Sequence, residues 1–122
     1  GRVYVIGAVA TLQQKTTSAI ATTLNSTTGA IGVGTATASA TTLATTMQDI
    51  IPTTAFTSST VINTAGTAVT AVLASPAVFD GTGTAKDLFL NTAYATTGDV
   101  DADATQTISG TIVVTWANLG DI

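Results

Sequence analysis

Threonine fills 29 of the 122 positions of this chain, and alanine fills another 21. Thr is branched at Cβ and stiff about χ1, so it suits a pleated strand better than a helix. Glu is absent and only three residues are basic, so most of the good polar helix formers are missing as well. An all-β fold is the default that follows.

Period-two alternation is clearest near the C-terminus. In TISGTIVVTWANLGDI, Ile108, Ile112, Val114 and Trp116 share one parity, while Ser109, Thr111, Val113 and Thr115 take the other. That is the pattern of a half-buried antiparallel strand. A second strand is expected over 86–94, with Leu88, Leu90 and Tyr94 on one face and Phe89 opposite. A third covers 68–73 and ends at the Ser75-Pro76 break, and a short one at 77–79 precedes the turn signal Asp80-Gly81. Segments 3–9 and 18–24 read as strands flanking a turn at Gln13, Gln14 and Lys15. In 30–37, Gly32 and Gly34 interrupt a β-like run, which marks a bulge or a close backbone approach.

One segment carries a different period. Ala40, Leu43, Ala44, Met47, Ile50 and Ile51 step by three or four, and Pro52 closes the run. A short helix is therefore expected near 39–49, against the resistance of Thr41, Thr42, Thr45 and Thr46. Strands of this length and spacing suggest an antiparallel β-sandwich or jelly roll. Composition does not shift along the chain, so a single domain over 1–122 is expected.

Charge narrows the functional classes. Charged residues make up 8% of the chain: the cations Arg2, Lys15 and Lys86, and seven Asp. With neither His nor Cys, the chain has no material for a Ser-His-Asp or Cys-His centre, a Cys/His zinc site or a disulfide framework. Three scattered cations do not neutralise a run of phosphates, so no nucleic-acid partner is expected. No apolar run reaches the ~18 residues of a membrane span, and GRVYVIGAVA is too short for a signal peptide. No membrane partner is expected, and the opening run reads as a strand. Aromatics are only 5% of residues although 45% are apolar, so Ala, Val, Ile and Leu must fill the core. A net charge of −4 on so few ionic groups leaves a coat of hydroxyl, methyl and backbone, which suits a subunit covered by neighbours.

Few residues invite a chemical reading. Asp99, Asp101 and Asp103 in GDVDADATQT could offer hard oxygen ligands to calcium, but Ala104 and Gly110 stand where an EF-hand loop needs Gly and Glu. The plainer reading is a solvated turn before the last strand. Gly81-Thr82-Gly83-Thr84-Ala85-Lys86 lacks phosphate-loop spacing and precedes no helical pattern. Lys15 with Ser18 has no oxyanion hole or third group beside it, and Asn25-Ser26-Thr27 is a sequon that such a composition produces by chance. No two Asp are set apart for acid–base work, so neither an enzyme nor a cofactor is expected. Arg2, Tyr4 and Trp116 are the candidate partner contacts, with Trp116 expected first as core filling and second as an interface anchor.

The stretch 77–122 joins a Phe-Asp-Gly-Thr turn, the strand DLFLNTAYA, an Asp-rich loop and SGTIVVTWANLGDI, and MQDIIPTT precedes it. In order and style this resembles the head-decoration, cement or head-fibre proteins of tailed bacteriophages. The resemblance covers roughly the C-terminal 80 residues and includes no catalytic motif. It implies a β-sandwich or jelly roll on the capsid exterior of the virion, binding the major capsid protein as a homotrimer. Two other classes fit the residues: a pilus, filament or tail-fibre adhesin subunit joined by strand exchange, and a secreted calcium- or carbohydrate-binding sandwich.

Overall fold

A computed structural model describes residues 1–16, 28–37, 42–57, 65–93 and 106–121. They form seven strands: β1 (Arg2–Thr16), β2 (Thr28–Gly34), β3 (Ile51–Thr57), β4 (Val69–Val72), β5 (Ala77–Asp80), β6 (Phe89–Ala93) and β7 (Gln106–Gly120). All pairings are antiparallel, and they build two sheets. The protein is an all-β sandwich, as its Thr content predicts.

In the first sheet β1 is central. One of its edges carries β7 along nearly its whole length, from Arg2↔Gly120 to Thr16↔Gln106. The other edge carries β5 opposite residues 2–5 and β4 opposite residues 9–12. β4 and β5 thus form a single line interrupted at 73–76, where Pro76 has no N–H to give to a ladder. In the second sheet β2 lies between β3 and β6. Its register shifts between Ile31 and Val33, so Gly32 sits at the irregularity expected there.

The sheets meet mainly where β3 packs on β1 and β4, and β7 stands at the margin of that contact. The core is aliphatic: Val5, Ala8, Ala10 and Leu12 of β1, with Ala71 beside Ala10 on β4, pack against Ile31, Val33, Ile50 and Ile51. Buried residues of β1 change parity between Val5 and Ala8 because Ile6 is a bulge, unpaired between Val5↔Trp116 and Gly7↔Thr115.

Several expectations need correction. Gln13, Gln14 and Lys15 do not turn; they extend β1, since β7 continues opposite them and buried Gln14 follows Leu12 on the inner face. The helical period near 39–49 yields only one 3-10 turn, Thr45–Met47, within 42–49. β-branched Thr opposes further helix, and the Asp49 carboxylate is held instead by Thr35, whose N–H and hydroxyl donate to it at 2.9 and 2.7 Å. β6 begins at Phe89, and its inward positions are Phe89, Asn91 and Ala93, so Leu90 points outward and Leu88 lies just before the strand. The expected strand over 18–24, residues 38–41 of the helical segment, and Tyr94 lie outside the described residues.

The 3-10 turn is anchored from below by Asn91, 5% exposed, whose Nδ2 donates to the carbonyls of Ala36 and Met47, each at 2.8 Å. Met47 and Ala36 belong to segments with no ladder between them, so this amide substitutes for a missing strand pair.

Candidate interaction surface

The ladder between β1 and β7 brings the three candidate contact residues to one end of the sandwich, but on two different faces. Trp116 lies opposite Val5 and therefore on the inner side, whereas Tyr4 lies opposite Ala117 and Val78 on the outer side. Arg2 shares the outer side with Asp80, directly across from it on β5.

Arg2 is already engaged. Its Nε donates to Asp80 Oδ2 at 3.1 Å, and the Thr82 N–H donates to Asp80 Oδ1 at 2.9 Å. The Thr82 hydroxyl and N–H, and then the Arg2 guanidinium, lower the Asp80 pKa from 3.8 to about 2. The pair is an exposed clip that ties the turn after β5 to the start of β1.

Trp116 does not fill the core. It is 56% exposed, because β7 reaches past the footprint of the second sheet and no described residue packs fully over its inner face there. With Val3, Val5, Phe79, Leu88 and Val114 it lines an apolar hollow of about 330 Å³, at whose wall Lys86 is the one charged side chain. The hollow opens where the two sheets part, beside the loop 81–88.

The outer side of the first sheet is apolar as well. Val72, Val9 and Val113 stand side by side across β4, β1 and β7, and Ile6 and Val78 are exposed beside them. The next rung is Thr70, Thr11 and Thr111, with the Thr11 and Thr70 hydroxyls 3.4 Å apart. The valine row escapes a simple alternation reading, which places Val113 on the polar parity. Its signal is the unbroken run Ile112-Val113-Val114, typical of a strand apolar on both sides.

Among the described residues, the remaining sequence candidates do not gather into a chemical site. Asp99, Asp101, Asp103, Ser18 and the Asn25 triplet lie outside the described residues. Among the described residues no three of His, Cys, Asp and Glu come together as a metal centre, and no helix is long and apolar enough to cross a membrane. The segment from Gly81 to Lys86 is a loop, held by a bond from the Gly81 N–H to the Gly1 carbonyl at 2.9 Å. No protein family, curated protein or solved structure matches the chain.

Proposed function

We propose that this protein is a non-catalytic structural subunit of a bacteriophage virion, sitting on the capsid exterior and clamping the major capsid protein. One observation carries the reading: among the described residues ten large apolar residues are 37–56% exposed, on a chain with three cations. Monomeric soluble proteins seldom leave large contiguous apolar patches open, and a row such as Val72, Val9 and Val113 gains by being covered. Small β-branched faces suit flat, repeated contacts, each weak and multiplied by the symmetry of a shell. The low charge lets copies pack closely without mutual repulsion. The resemblance of 77–122 to head-decoration proteins points to a capsid as the surface being covered.

A second reading, a filament or adhesin subunit joined by strand exchange, draws on the long uncharged edge of β7. The test is mass spectrometry of purified virions against the producing cell, with stoichiometry relative to the major capsid protein. A fixed ratio in particles is the expected result, and absence from particles ends the capsid reading. Open filaments of purified protein in electron micrographs would favour the second.

A further inference from the structure

The four outer edges of the two sheets differ sharply. The line of β4 and β5 is broken at 73–76 and carries Pro76 in the gap. β3 carries Pro52, and β6 is five residues long. These are the devices by which proteins blunt an edge. β7 is blunted only at its far end, where Leu119 bulges between Arg2↔Gly120 and Val3↔Asn118: its 15 residues, QTISGTIVVTWANLG, include no proline and no charge, and among the described residues no strand pairs with its outer side.

An edge of this kind presents N–H and C=O groups in alternation, and an extended strand is what satisfies them in register. The strand's own sequence names the occupant. About Val113 it reads nearly alike in both directions, Thr111-Ile112-Val113-Val114-Thr115. A two-fold contact demands such self-complementarity, because residue i meets j while j meets i.

We infer that β7 is a homodimerisation edge, on which two copies pair antiparallel about Val113 into one continuous sheet. Thr111 then faces Thr115 of the partner subunit, Ile112 faces Val114 of the partner subunit, and the two Val113 residues meet at the axis. Thr–Thr and β-branched pairs are favourable cross-strand neighbours. Trp116 falls opposite Gly110 of the partner subunit. Gly110 has φ +144°, and a Cβ there would lie 2.0 Å from the Thr11 carbonyl oxygen, so the position stays bare. An aromatic ring across an edge strand covers such a bare glycine. The uncovered indole and the glycine that cannot be substituted thereby acquire one shared purpose. None of the seven Asp lies on β7, so no carboxylate enters the paired rungs.

This contact is independent of the capsid reading and differs from the three-fold ring implied by the phage resemblance. Sedimentation equilibrium of the full chain is expected to give twice the monomer mass; a monomer or a trimer overturns the inference. Val113 is exposed, so Val113→Lys leaves the fold intact by circular dichroism and is expected to sediment as a monomer. Val113→Glu does the same alone, and the two variants mixed are expected to recover the dimer. Folded variants that stay dimeric, or that fail to recover on mixing, overturn the pairing about Val113.

Discussion

Gly34 lies directly against the 3-10 turn: a Cβ on it would come within 2.2 Å of the Thr46 carbonyl oxygen and 2.4 Å of the Met47 carbonyl carbon. Both neighbours are backbone, held by the bond from the Ala36 N–H to the Thr46 carbonyl at 3.0 Å, so neither can swing aside. Gly34→Ala is expected to cost about 1–3 kcal/mol through this overpacking. Urea denaturation should show the midpoint falling with little change in slope.

Asn91 should prove as sensitive, for the opposite reason. Removing its amide with Asn91→Ala strands the carbonyls of Ala36 and Met47, and each buried polar group left without a partner costs about 1–3 kcal/mol. Hydrogen exchange is expected to quicken at Ala36, whose N–H bonds to the 3-10 turn.

Ile51 is, with Ile50, one of the two largest fully buried side chains of the aliphatic core. Ile51→Val should cost about 0.5–1.5 kcal/mol and Ile51→Ala about 2–5 kcal/mol, read from denaturant midpoints.

Acid should release the Asp80 clip. Its folded pKa is depressed from 3.8 to about 2, so the clip's stabilising contribution is complete above pH 4 and fades as pH falls toward 2. Asp80→Asn removes that contribution. The melting temperatures of the two proteins should differ slightly at neutral pH and converge near pH 2.

The outer valine row gives the proposed clamp a direct check. Val72 is exposed, so Val72→Lys should change stability by no more than about 0.5 kcal/mol. The same change should strip the protein from purified particles, measured as its ratio to the major capsid protein. Unchanged occupancy would remove this face from the contact.

Much of the architecture was legible because a strong local signal met no competitor. Ile108, Val114 and the residues between them alternate as a strand, Ser75-Pro76 breaks one, and Gly32 and Gly34 mark a close approach. What escaped was decided at a distance. Gln14 is polar, yet it lies within β1 because β7 runs on opposite it. Asn91 hides the inward parity of β6, since a polar residue there is tolerable only when carbonyls from two other segments turn toward it. Trp116 has the character of a core residue; its exposure follows from how far the second sheet extends, which no local pattern encodes. Of the candidate interaction surface, Arg2, Tyr4 and Trp116 were visible by residue type. The valine row was not, because its members come from three strands far apart in sequence.

The bulge at Ile6 makes β1 unusual in where it can lose length. Excising Ile6 restores unbroken alternation, with Val3 and Val5 still in phase with Ala8 and Ala10. Excising Thr11 instead throws one end of the strand out of step, exchanging buried Leu12 and Gln14 for Gln13 and Lys15. The one spare link thus confines tolerated shortening within the ladder of the central strand to the bulge between Val5 and Ala8.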